Sequence, residues 1–220
     1  MSSPPISPKI LKGALIGIDP FNPVASAVTL NFKMNAEKLT RTLTVQAAGA
    51  QGSGFSEALR LKGPPVETYK FELILDATDK LAAGDETVGK YGIHRQLAAL
   101  EMLVYPKSLL IATNTALLLA GTLEILPPTG PLIFFVWGRR RILPVRITEF
   151  SIVEDAFDPY LNPIRATVTM TVRVLSYNDL PVLHPGYGVF LGHQIAKEIM
   201  ATAESVGTLG DIFGGDIKLF

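Results

Sequence analysis

The sequence contains no cysteine, and its charge is sparse and balanced. Without a thiol the chain cannot form disulfides, use a cysteine nucleophile or bind zinc through thiolates. Charged residues make up 18% of the chain, below the roughly 25% of an average globular protein. Because 20 basic residues balance 20 acidic ones, the chain has no global field for nucleic acid or an anionic membrane. A low charge instead favours a subunit that covers part of its surface in an assembly.

Patterns for catalysis and metal binding are also scarce. The three histidines, His94, His184 and His193, lack metal-ligand spacing with one another or with a carboxylate pair. The acidic cluster within residues 154–158 lacks the spacing and the glycine of an EF-hand. The glycine-rich stretch 49–54 lacks the GK[ST] ending of a phosphate-binding loop, and no G-x-S-x-G motif occurs. We therefore predict that the chain is not an enzyme and uses neither cofactor nor metal.

One apolar stretch approaches the length of a membrane span. Residues 109–126 are rich in leucine, but Asn114 and Glu124 interrupt them. Because a span needs about 20 mostly apolar residues, we predict no membrane span and interpret this stretch as a buried helix that runs into a strand. Residues 1–18 have an apolar core of about six residues, shorter than the ~7–15 of a signal peptide.

Alternation of apolar and polar residues predicts a mainly β chain. Strands are predicted at residues 14–18, 28–32, 39–45 and 66–76, followed by an exposed loop over 79–92. A three-stranded antiparallel meander then fills residues 131–177, with strands at 132–137, from 142 onward, and at 164–174. In the last of these, the apolar even-numbered residues face one way and Thr or Arg residues the other, as in a strand with one buried face.

The second strand of the meander changes its apolar parity along its length. Val145 and Ile147 share one parity, whereas Phe150 and Ile152 share the other. A regular strand cannot shift its alternation in this way, so we predict a β-bulge near Thr148 and Glu149.

Helical spacing appears twice outside the predicted strands. Apolar residues between 93 and 104 follow a helical period that ends at Pro106 and predict a helix that covers the sheet. Leu191, Ile195 and Ile199 repeat every four residues, so residues 189–205 are predicted to form an amphipathic helix. The segment after it is rich in glycine but carries large apolar side chains, which indicates docking on another surface.

Two groups of residues are candidate contacts with another subunit or a partner. The first is the turn of Arg139, Arg140 and Arg141, which fits either a solvated hairpin tip or a grip on an acidic partner. The second is the apolar end of the chain, with Phe213, Ile217, Leu219 and Phe220.

A set of short sequence blocks forms a specific pattern when taken together. In the second half of the chain these blocks are FVWG at 135–138, LPVR at 143–146, EDAFD at 154–158, LNPIRA at 161–166 and HPGY at 184–187. In the first half they are LTR at 39–41 with Leu43, and GIH at 92–94 with QLAALE at 96–101. From about residue 12 to residue 200, their order resembles the contractile injection system tube protein family.

The resemblance implies a fold and a structural role. The implied fold is the phage tail-tube or Hcp type: mainly β (α+β), an antiparallel β-barrel or sandwich with one flanking helix and a C-terminal helix. The implied role is a homohexameric ring at the baseplate end of the inner tube, connecting the tube to the spike. The implied partners are copies of the chain, inner tube proteins, a VgrG-like spike trimer and other baseplate components. Assembly in the cytoplasm into a phage-tail-like particle is implied, and the particle can be released from the cell.

Many relatives carry a LysM domain after the C-terminal helix, and this sequence contains none. Its apolar final segment is a candidate to replace the contacts of that domain. We expect a tail-tube-like β-barrel domain over residues 1–188, and a C-terminal helix with an apolar tail over 189–220. The Thr-rich strand faces are expected to line a hydrated lumen. From the residues alone, a monomeric β-barrel that binds a small apolar ligand stays open as the alternative, whereas a hydrolase has almost no support.

Overall fold

The computed structural model describes residues 13–18, 32–34, 38–47, 60–121 and 130–205. Within these ranges the chain forms one antiparallel sheet of seven strands: β1 Gly13–Ile18, β2 Phe32–Met34, β3 Leu39–Thr44, β4 Val66–Asp76, β5 Leu132–Val136, β6 Ile142–Phe157 and β7 Pro163–Val174. The same ranges contain five helices: α1 Thr78–Ala82, α2 Glu86–Tyr91, α3 His94–Glu101, α4 Ser108–Leu119 and α5 Pro185–Ser205. The predicted mainly β fold with flanking and C-terminal helices is confirmed.

Chain connectivity requires the sheet to curl. The strand order is β2-β1-β5-β6-β7-β4-β3, so β2 and β3 lie at opposite edges. In a flat sheet six steps of about 4.8 Å would separate them by roughly 29 Å. The chain from Met34 to Leu39 spans at most about 18 Å. The two edges must therefore approach each other, and the sheet forms a curled half-barrel.

The predicted meander and its bulge are both present. β5 pairs with β6, and β6 pairs with β7. The register of β6 against β7 shifts between Ile147 and Glu149, where the bulge was predicted, and again near residues 154–157. The extra residue restores the facing of Phe150 and Ile152, which pack against the same core as Ile147.

The core lies on one face of the sheet. Alternate residues of β4 and β7 are buried, including Tyr69, Phe71, Val168 and Val172. Phe135 of β5 stacks between them, with its ring centroid 5.2 Å from that of Tyr69 and 5.6 Å from that of Phe71. Helix α3 closes this face with side chains that are at most 3% exposed: Ile93, which precedes the helix, Leu97, Leu100 and Leu103, which follows it.

Two predictions about helices need correction in this part of the chain. The stretch 79–92, predicted as a loop, contains α1 and α2, because the Asp85 carboxylate accepts hydrogen bonds from the backbone N–H groups of Thr87 and Val88 and caps α2. Helix α4 was predicted to be buried, but none of its residues is buried.

The strand predicted to follow α4 falls partly on residues 122–129, and the strand at 28–32 mostly on residues before Phe32, all outside the described ranges.

Helix α5 starts at Pro185 and packs through a different face from the predicted one. Phe190 is 7% exposed and meets Tyr177 edge to face. Leu191, Ile195 and Ile199, which define the predicted apolar face, are 37%, 47% and 63% exposed. In the described ranges, no helix is long and apolar enough to cross a membrane.

Candidate assembly surfaces

A buried carboxylate links three separate elements. Glu67 of β4 is only 4% exposed. It accepts hydrogen bonds from Arg41 Nε of β3 at 2.6 Å, from Lys197 Nζ of α5 at 3.2 Å and from the Tyr69 hydroxyl. A buried charge is tolerated only when paired and hydrogen-bonded, so Glu67 holds the edge strand and the C-terminal helix to the sheet. We call this group of Glu67, Arg41, Tyr69 and Lys197 the Glu67 clamp.

These contacts shift the pKa values of both Glu67 and Tyr69. Burial alone would raise the pKa of Glu67, but the hydrogen bonds from Tyr69 and Arg41 and the charge of Lys197 together lower it. Burial and the hydrogen bond to Glu67 raise the pKa of Tyr69. The carboxylate is therefore ionised and the phenol protonated at neutral pH. Sequence reasoning missed Glu67, although its parity on β4 matches that of Tyr69 and Phe71, so a carboxylate on the apolar face was the available signal.

The three arginines of the β5–β6 turn have different roles. The guanidinium of Arg141 is half-buried and lies 5.6 Å from the centre of the Tyr69 ring, in cation–π contact. Arg139 and Arg140 are exposed, and Arg140 Nη1 lies 3.9 Å from the sulfur of Met200 on α5. The predicted tip is therefore solvated only in part. Residues Phe213, Ile217, Leu219 and Phe220 lie outside the described ranges.

The sheet face opposite the core is polar. Thr171 Oγ1 donates to Glu149 at 2.8 Å, and Thr167 Oγ1 donates to Asp155 at 2.9 Å. Threonine hydroxyls and carboxylates on neighbouring strands are therefore hydrogen-bonded to one another on this face.

Helix α4 presents the opposite kind of surface. It has the sequence SLLIATNTALLL and no buried residue. Leu109 is 74% exposed and Leu119 83%. The described residues contain no group of three or more His, Asp or Glu side chains that could hold a metal ion. The described residues therefore present an exposed apolar helix and an internal group of charged contacts around Glu67.

Comparison with protein-family models identifies one match: the model for contractile injection system tube proteins matches residues 19–179. The chain belongs to the contractile injection system tube protein family. The family is one of structural tube proteins and is not an enzyme class. Membership implies assembly with other components of such a system. A comparison with curated protein sequences gave no significant match.

The family match ends before the C-terminal helix. The matched residues include β3 to β7 and α4, whereas α5 lies beyond residue 179. The Glu67 clamp therefore joins a tube-protein sheet to a helix outside the matched region, through Lys197.

Proposed function

We propose that this tube protein forms a homohexameric ring at the baseplate end of the inner tube and connects the tube to the spike. Its partners in this role are other copies of the chain, inner tube proteins, a VgrG-like spike trimer and baseplate components. Assembly takes place in the cytoplasm, into a phage-tail-like particle that can be released. The observation that carries the proposal is the exposed apolar helix α4.

Helix α4 is too apolar to remain in water in the finished particle. Five of its large side chains are at least 43% exposed: Leu109, Ile111, Leu117, Leu118 and Leu119. Contiguous exposed apolar surface of this kind marks protein–protein contact sites, and full burial of one such side chain contributes about 1.5–3 kcal/mol. A subunit contact through α4 would therefore be strongly favourable.

The sheet provides further support for a closed ring. Within the described residues β2 and β3 are its edges, and unpaired edge strands are templates for pairing with another chain. Repeating such contacts around a closed ring leaves no edge free. The hydroxyl-rich face, with Thr167 and Thr171, would then form a hydrated lumen wall.

The ring proposal is tested by the mass of the purified protein and by images of it. Light scattering and negative-stain microscopy at high concentration should show self-association and rings for the unmodified chain. Leu118→Glu with Leu119→Glu should reduce both, because two buried carboxylates would oppose the contact. Leu81→Glu, at an exposed leucine of α1, is the matched control and should associate normally. A monomer at every concentration would contradict the ring.

The alternative, a monomeric barrel with a small apolar ligand, has less support. Phe135 stacks on Tyr69, on Phe71 and on Trp137, whose ring centroid is 5.9 Å away. In the described part of the chain, these side chains fill the face that would hold such a ligand. Saturable binding of an apolar dye to a stable monomer would favour this alternative.

A further inference from the structure

A groove runs between α5 and the β5–β6 turn. Its apolar wall consists of Ile142, Val189, Ala196, Ile199 and Met200. Ile142 and Ile199 are 43% and 63% exposed, so the wall is open to solvent within the described residues. Apolar side chains in such a groove favour an apolar occupant.

The rim of the groove is cationic. Arg139 and Arg140 line it and are exposed, and none of the described residues that line it is acidic. His193 also lines it, and its buried Nε2 has no hydrogen-bond partner among the described residues. The groove therefore matches a segment that combines apolar side chains with carboxylates.

The chain itself supplies a segment of this chemistry directly after α5. Residues 206–220 read VGTLGDIFGGDIKLF and contain Asp211 and Asp216 among large apolar residues. Gly207 and Gly210 suit a reversal of direction, because glycine adopts turn conformations that other residues avoid.

The length of this segment also fits the groove. Met200 lies five residues before the end of α5, or about 7.5 Å along the helix axis. If the chain reverses over residues 206–209, an extended strand of about 3.3 Å per residue brings Asp211 back to the level of Met200. Arg140 contacts Met200 at that level. The remaining residues can then follow the wall back toward Val189.

We propose that residues 206–220 fold back along α5 and occupy this groove of the same chain, with Asp211 beside Arg140. Occupation in cis is favoured over capture of another copy, because the short connection from Ser205 gives the segment a high effective concentration at its own groove. This inference does not depend on the proposed ring.

The absence of cysteine from the full chain permits a direct cross-linking test. Ala196→Cys in the groove, combined with Gly214→Cys in the segment, should form an intramolecular disulfide rapidly at low protein concentration. Lys90→Cys with Gly214→Cys is the matched control, because Lys90 is exposed on α2 and does not line the groove. Non-reducing gels separate a cross-linked monomer from a dimer.

Charge reversal tests the predicted pairing within the same cross-linking assay. Arg140→Glu should reduce the population of the docked state, and so the rate of disulfide formation, by about fivefold. Adding Asp211→Lys should restore the rate. Arg95→Glu, at an exposed arginine of α3, should have no effect.

Four results would overturn the proposal. A control pair that cross-links as fast as the groove pair would mean that the segment has no preferred site. A disulfide-linked dimer as the main product would assign the groove to the segment of a second copy. An unchanged cross-linking rate in Arg140→Glu would show that Asp211 does not pair with Arg140. A reduced rate that Asp211→Lys does not restore would show the same.

Discussion

At the scale of single residues, Glu67 is the side chain on which the packing of α5 depends most directly. One carboxylate satisfies Arg41, Tyr69 and Lys197, which come from two strands and a helix. Loss of that carboxylate removes the counter-charge that the described residues give to Arg41 and Lys197.

We expect Glu67→Gln to lower the free energy of unfolding by about 1–2 kcal/mol, because the cations keep some access to water. Urea denaturation measures this change. Glu72→Gln, at an exposed position on the other face of β4, should have almost no effect. Equal losses from both variants would show that the clamp does not stabilise the fold.

His193 makes the packing of α5 against the rest of the fold sensitive to acid. Burial and the charge of Lys197 lower the pKa of His193, and the charge of Glu67 opposes them only in part. A lowered folded pKa means that the contribution of the neutral ring is complete above about pH 6.5, the unfolded value, and is lost as pH falls.

Stability should therefore decline between pH 7.5 and pH 5 in the unmodified chain, and His193→Gln should decline less over the same interval. Urea denaturation at several pH values compares the two slopes. Identical slopes would mean that His193 is equally easy to protonate in the folded and unfolded chain. The pKa of Glu67 is lowered too, so its contribution persists above about pH 4.3 and is lost only in stronger acid.

At the scale of elements, β7 shows most clearly which face of the sheet is buried. Val168 and Val172 are fully buried, whereas Thr169, between them, is only half-buried. Its neighbours on the polar face, Glu72 and Ser151, pair with it across β4 and β6.

Val168→Asp or Val172→Asp should destabilise the fold by several kcal/mol, roughly 3 or more, because an unpaired carboxylate would enter the core. Thr169→Asp should fold with a much smaller loss of thermal stability, since its face is polar, although Glu72 lies opposite on β4. Circular dichroism melting curves compare the three variants. Similar losses from all three would contradict the assigned facing of β7.

At the scale of the whole molecule, the chain is a tube protein with a clamped C-terminal helix and large apolar surfaces. Those surfaces lie on α4 and on the outer side of α5, where Leu191 and Ile195 are exposed and lie outside the groove. Their polar counterpart is the Thr-rich face of the sheet.

Self-association should therefore be maintained or strengthened at high salt, because apolar contacts do not weaken with ionic screening and sulfate strengthens them. Light scattering at low and high concentrations of sodium sulfate measures this dependence. Dissociation into monomers at high salt would show that ion pairs, rather than α4 and α5, hold the subunits together.

Local sequence pattern alone predicted β1 and β3 to β7, together with the buried face of β4 and β7. The alternation in β7 and the parity change in β6 predict the buried face and the bulge, because both follow from the two-residue period of a strand. Only the tertiary structure decided which surfaces of the helices are covered. Glu67 pairs with Arg41, 26 residues away, and with Lys197, 130 residues away. The pairing with Lys197 helps to fix α5 in the orientation in which Phe190 is buried. No local window contains such partners, so the periodicity of Leu191, Ile195 and Ile199 predicted the helix but not its buried face. Likewise the composition of α4 predicted burial, whereas in the fold none of its residues is buried.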